Sequence, residues 1–89
     1  MSTVQSRILD IIRDANVFGS GITDEGIIAT YSRRARVKAW TMPSPSSIRS
    51  RRKELEDKRL VRPCADESGR LLFGLTERGN PSQLWTVAS

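Results

Sequence analysis

The sequence predicts an α+β fold: three helices followed by a small antiparallel β-sheet, in one domain over residues 1–89. Two observations carry this. Apolar residues recur at helical spacing through the first half of the chain, up to about residue 59. Beyond that point the helical period is lost, and short extended runs alternate with turn signals. A third observation, the uneven distribution of charge, points to where the fold meets a partner.

The first helix is predicted over 3–16. Val4, Ile8, Ile11, Ile12 and Ala15 fall on one side, with Arg7, Asp10, Arg13 and Asp14 opposite, and Ser2 or Thr3 caps it. Gly19 and Gly21 supply the break that follows. The second helix is predicted over 22–35. Thr23 is its N-cap, Asp24 and Glu25 suit its positive first turn, and Ile27, Ile28 and Tyr31 form its buried side. Gly26 weakens that first turn, and the sequence does not say why it is there. Residues 36–46 have no clear period. Pro45 drives Ser44 out of helical geometry, which is what an N-cap residue needs, and is itself suited to the first helical position. The third helix is therefore predicted from Ser44 to Lys58 or Arg59, with Ile48, Leu55 and Leu60 on its core side. After it, 60–64 and 83–88 read as strands and 70–76 as a third extended piece. "DESG" and "ERGNPS" read as turns.

The chain has 89 residues and a net charge of +5. From Arg33 to Arg62 there are eleven Lys or Arg against three acids, a charge of +8; the rest has four against seven, or −3. One cationic face is expected, suited to an anionic partner. No histidine and a single cysteine, Cys64, exclude His/Cys metal sites and Ser/His/Asp or Cys/His nucleophiles. No enzyme, cofactor, metal or small-molecule substrate is expected. With no disulfide partner, Cys64 reads as a small strand residue in a reducing compartment. No apolar run is long enough to span a membrane and no signal-peptide pattern opens the chain, so a cytoplasmic location is expected.

Charge is densest in "SPSSIRSRRKELEDKRLVRP", Ser44–Pro63. At 100° per residue, with Ile48 and Leu55 inward, Ser46, Arg49, Ser50, Lys53 and Asp57 face outward. Arg51 and Arg52 lie on the flanks, Arg52 nearer the core. Cations at a helix N-terminus repel one another and oppose the helix dipole. Pairing at i,i+4 (Arg52 with Glu56, Lys53 with Asp57, Glu54 with Lys58) relieves the C-terminal half but leaves Arg49 and Arg51 without acidic neighbours. A polyanion relieves the rest. Ser, Arg and Lys on a helix with small residues can approach a groove and contact phosphates and base edges.

"TDEGIIATY", "SPSSIRSRRKELEDKRLV" and "TERGNPSQLWTV" together resemble small winged helix-turn-helix proteins, most of all those encoded by bacteriophages. The resemblance covers roughly residues 5–87. It implies a transcriptional regulator that binds double-stranded DNA in the bacterial host cytoplasm, with helix 44–58 in the major groove. Ser46, Ser47, Arg49, Ser50 and Lys53 match the family's outward positions on that helix, and Arg51 and Arg52 of the same cationic run are expected as further DNA contacts. Arg33, Arg34, Arg36 and Lys38 grip the backbone, and the wing turn with Arg78, Gly79, Asn80 and Ser82 touches the backbone or minor groove. A homodimer or a host protein is the further partner expected.

Three features depart from the family pattern. The link over 35–43 is long, Arg59 stands where a helix-ending glycine is usual, and "RLLFGL" makes the wing longer and more apolar. The long wing, the long link and the small size of the chain favour a rival reading: a protein-interaction module on the same fold, using the basic face or the apolar wing. Under the DNA reading Leu71 and Phe73 tuck into the sheet, Arg70, Arg78 and Asn80 point from the same edge as the third helix, and at least two of Leu71, Leu72 and Phe73 are buried; under the rival reading the apolar piece stays exposed. Leu55 and Trp85 are expected in the core under either, and Trp40 is expected to pack as core.

Overall fold

Three capped helices come first. The computed structural model describes residues 2–18 and 21–88, without the side chain of Phe18; the predicted turn residue Gly19 lies outside that range. Helix α1 spans Thr3–Phe18. The Ser2 hydroxyl accepts from the Gln5 N–H at 3.1 Å, and the Gln5 side-chain oxygen accepts from the Ser2 N–H at 2.9 Å. Two otherwise orphan donors are satisfied reciprocally. Helix α2 spans Asp24–Lys38, with the Thr23 hydroxyl accepting from Gly26 N–H at 3.1 Å. A Cβ on Gly26 would come within 2.8 Å of Ile22 Cγ1, so close packing explains that glycine. Helix α3 spans Pro45–Asp57, and the Ser44 hydroxyl accepts from Ser47 N–H at 3.1 Å.

Two helix ends differ from expectation. Helix α2 runs three residues past Ala35, so Arg36 and Lys38 sit in its last turn rather than in a loop. Cations are favoured there by the negative end of the helix dipole. Ala39, left-handed at φ 56°, ends the helix, and the link to α3 shortens to residues 39–44. At the end of α3, Arg59 takes φ 61°. Its N–H donates to Glu56 O and that of Leu60 to Leu55 O, each at 2.9 Å. The helix thus stops through the left-handed geometry a glycine would supply, with arginine bearing the strain.

The core lies between the three helices and the first sheet. Ile8, Leu9, Ile11 and Ile12 from α1 meet Ile27, Tyr31 and Ala35 from α2 and Ile48 and Leu55 from α3. Full burial of each such aliphatic side chain stabilises the fold by about 1.5–3 kcal/mol. Strands β1 (Val61–Pro63) and β4 (Trp85–Val87) pair antiparallel in register Val61↔Val87, Arg62↔Thr86 and Pro63↔Trp85. Ile22 bridges Trp85 on the other side of β4. Leu55 and Trp85 are both buried, as the periodicity predicts. Gly21 is required at this junction: at φ 108°, its Cβ would meet the Trp85 carbonyl oxygen at 2.8 Å. Thr86 donates its hydroxyl proton to the Asn16 side-chain oxygen, tying β4 to α1. Trp40 is half-buried against the core, its ring 5.6 Å from that of Tyr31. Cys64 is buried beyond β1, and burial pushes its thiol pKa up.

Between β1 and β4 the chain makes two hairpins. The first closes at 66–69, below the bridge Ala65↔Leu71. Asp66 Oδ1 accepts from the Ser68 and Arg70 N–H groups and the Ser68 hydroxyl, and the Ser68 hydroxyl bond leads in holding its carboxyl below the usual range. The second pairs β2 (Phe73–Leu75) with β3 (Pro81–Gln83). The predicted strand over 83–88 is thus broken at Leu84. Both hairpins spring from one ring of backbone bonds: Cys64 N–H to Leu84 O, Leu84 N–H to Leu72 O, and Leu72 N–H to Cys64 O, at 2.8, 3.4 and 2.9 Å. The Gln83 amide braces it, donating to the Leu72 and Leu84 carbonyls.

The expectation that at least two of Leu71, Leu72 and Phe73 are buried fails. Leu72 is half-buried, while Leu71 and Phe73 are exposed at 47% and 56%. Alternation is the reason: positions 72, 74 and 76 turn inward and 71, 73 and 75 outward. A Cβ on Gly74 would come within 2.9 Å of Thr23 Cγ2, so the inner side lies against the start of α2. No helix among the described residues is long and apolar enough to cross a membrane.

Candidate nucleic-acid interface

Helix α3 presents three sides. Ile48 and Leu55 are fully buried, which fixes the helix phase. Ser46, Arg49, Ser50 and Lys53 are exposed on the opposite side, and Ser47 is half-buried at the edge. Arg49 makes no ion pair among the described residues. Lys53 lies 3.8 Å from Asp57, both more than 60% exposed, a contact of little strength in water. The outward side of the first two and a half turns therefore carries two small hydroxyls alternating with two available cations.

Arg52 keeps its expected place near the core and its expected pair with Glu56, whereas Arg51 differs from expectation. Arg51 has an acidic neighbour after all: its Nη1 donates to both Glu54 carboxylate oxygens at 2.8 and 2.6 Å. The i,i+3 spacing, not the i,i+4 spacing, supplies the partner. Gln5 Nε2 also donates to Glu54 at 2.6 Å, and the Arg51 hydrogen bond leads in holding that carboxyl below its ordinary range. Lys58, the expected partner of Glu54, donates instead to the Gln5 side-chain oxygen at 3.4 Å.

Arg52 is a clamp. Its Nε and Nη2 donate to the two oxygens of Asp24 at 2.9 Å each, its Nη1 donates to Glu56 at 3.1 Å, and its guanidinium lies 3.9 Å from the centroid of the Trp85 ring. Its side chain is 13% exposed. The planar fork suits a bidentate carboxylate and an aromatic face together. These contacts tie α3 to the start of α2 and to β4. Arg52 sets the angle of the helix and does not belong to its outward surface.

The second cluster lies on the end of α2. Arg33, Arg36 and Lys38 are exposed around Val37, which is 85% exposed. Arg33 donates to Thr30 Oγ1 at 3.4 Å, and the Lys38 ammonium stands 5.3 Å from the Trp40 ring centroid. Arg34 is diverted, paired with Asp14 of α1 at 2.7 Å. Arg7 covers Trp40 at 3.8 Å and donates to the Tyr31 hydroxyl at 3.3 Å.

The β2–β3 turn carries Arg78 and Asn80, both exposed. It closes through Thr76 N–H to Asn80 O, with Gly79 at φ 81°. Its anchor is α2: Glu77 N–H donates to Glu25 at 3.3 Å. Ser82, expected on the contact surface, pairs with Gly74 on the inward side and is half-buried.

Sequence reasoning missed Asp24, Glu25 and Gln5 as supports of this surface. Asp24 stands 28 residues from Arg52 and Glu25 52 from Glu77, beyond any local spacing rule. Comparison with protein-family models, curated proteins and solved structures gave no match.

Proposed function

We propose that this protein is a non-enzymatic binder of double-stranded DNA, a winged helix-turn-helix regulator of transcription of the phage type. Helix α3 enters the major groove with Ser46, Arg49, Ser50 and Lys53 toward the bases and phosphates. Arg33, Arg36 and Lys38 sit on the backbone, and Arg78 and Asn80 contact it from the wing turn. The observation that carries this reading is the outward side of α3: small hydroxyls and available cations on a helix whose other two sides are locked by core and ion pairs. The element order supports the fold reading: α1, the Ile22 bridge, α2, α3, then paired strands around a hairpin. A salt titration of binding to random and genomic duplexes tests it. Binding should tighten steeply as salt falls, by about 0.9 in log–log slope per phosphate contact. Absence of duplex binding at low salt refutes it.

The exposed Leu71 and Phe73 favour a protein contact as a second reading, in which the module docks on another protein. The two readings use separate surfaces. Phe73 and Leu75 serve the second, and substitution there leaves the first untouched.

A further inference from the structure

The outer side of the wing leaves three of the exposed large hydrophobic residues next to one another. Leu71, Phe73 and Leu75 are 47%, 56% and 74% exposed, all projecting from one side of a single extended segment. The pairing adds Ala65 beside Leu71 and Pro81 beside Leu75, both exposed. The inner side cannot take this burial, because Gly74 already lies against Thr23 with no room for a side chain. A one-residue shift of register would bring Phe73 inward, but the backbone ring of Cys64, Leu72 and Leu84 fixes the register. The apolar stripe is thus held outward by the construction of the two hairpins.

We infer that this stripe is the contact between two copies of this chain bound side by side on DNA. The inference rests on the DNA reading above. Two observations choose a second copy over another occupant. The first is charge. Nearest the stripe, Arg70 stands at one end and Glu77 at the other, both exposed; Asp66 is engaged inside its own turn, and Arg78 belongs to the DNA contact proposed above. A two-fold axis through Phe73 sets Leu71 of one copy against Leu75 of the other and Arg70 of each against Glu77 of its partner. Within a chain of net charge +5, this balanced strip lets two copies meet while their cationic α2 and α3 surfaces stay apart. The second is size. A freestanding interface takes some 20–30 residues a side, and five apolar residues fall far short. The contact is too small to hold a free partner. It is sufficient where DNA already holds both chains and supplies the effective concentration, and a second copy of a DNA-binding chain meets that condition.

The test compares two random-sequence duplexes, one of about one helical turn, which takes one chain, and one of about four turns, which takes several. Wild type should bind the longer duplex about tenfold more tightly per site, with a sigmoid isotherm. The double variant Phe73→Ser, Leu75→Ser should keep the short-duplex affinity and lose the tenfold gain. Both positions are exposed, and its thermal melt should match wild type. A non-cooperative wild type overturns the inference, as does a variant that keeps its cooperativity. A variant weakened equally on both duplexes overturns it too, by putting the stripe on DNA itself. If wild type binds neither duplex, the DNA reading fails and the inference that rests on it is overturned with it.

Discussion

Helix α3 and the β2–β3 hairpin each bury one side and expose the opposite one, and they invert each other. The helix buries Ile48 and Leu55 and shows serine, arginine and lysine. The hairpin tucks in Gly74, Thr76 and Ser82 and shows Leu71, Phe73, Leu75 and Pro81. What separates them is the support behind each. Helix α3 lies on a core of isoleucines and is pinned by Arg52 and Glu54. The hairpin hangs on backbone bonds and lies against the rim of α2, where only small side chains fit. Charge lies on the outside of a packed helix and apolar surface on the outside of a loosely backed hairpin, and the proposed function assigns the first to a polyanion and the second to protein.

The largest expected effect breaks the supported side. Leu55→Ala should cost about 2–5 kcal/mol in urea denaturation, whereas Phe73→Ala should stay within about 0.5 kcal/mol. A comparable loss at Phe73 would mean that the hairpin buries it. Next in size is the clamp. Arg52→Ala strands Asp24 and uncovers Trp85, and should cost about 1.5–3 kcal/mol. Its duplex binding should weaken without any change in salt slope, because Arg52 is not a phosphate contact. A lowered slope would move Arg52 back to the DNA surface.

Smaller effects probe the ends of the helix and its ion pairs. Arg59→Gly should stabilise by about 0.5–1 kcal/mol, since it removes the left-handed strain at φ 61°; a loss of stability would show that the arginine side chain matters more than the backbone. Acid titration is the mildest probe. Glu54 and Asp66 both have carboxyl pKa values lowered in the folded chain. Their contribution is therefore complete above the ordinary carboxylate range and is lost as pH falls through the lowered values. Glu54→Gln should flatten the thermal-melt profile across that range, and a profile as steep as that of wild type would contradict the assignment.

The same contrast explains what could be read in the sequence. The phase of α3 was legible because Ile48 and Leu55 are seven residues apart on one side, and its start because Pro45 follows a capping serine. The end of α2 was not: Arg36 and Lys38 lack apolar periodicity and are helical through the dipole and the left-handed Ala39. The run "LLF" offers no alternation, so which of its residues turn outward is set by the ring at Cys64, Leu72 and Leu84, across 21 residues of chain. The helical phase already set Arg51 and Arg52 on the flanks and Arg52 nearer the core, but it could not supply the partners that hold them. Geometry does: Arg52 finds Asp24 from another helix and Arg51 finds Glu54, a carboxylate that Gln5 also holds.

The claim that the outward side of α3 is the DNA-binding surface is tested most directly by the salt dependence of duplex binding for wild type and for Arg49→Ala, Lys53→Ala. Both side chains are exposed and carry at most a weak surface pair, so the variant should fold with a melt close to that of wild type. Loss of two phosphate contacts should weaken binding and lower the log–log slope by about 1.8. Unchanged affinity and slope in a folded variant would contradict the account and take α3 out of the interface.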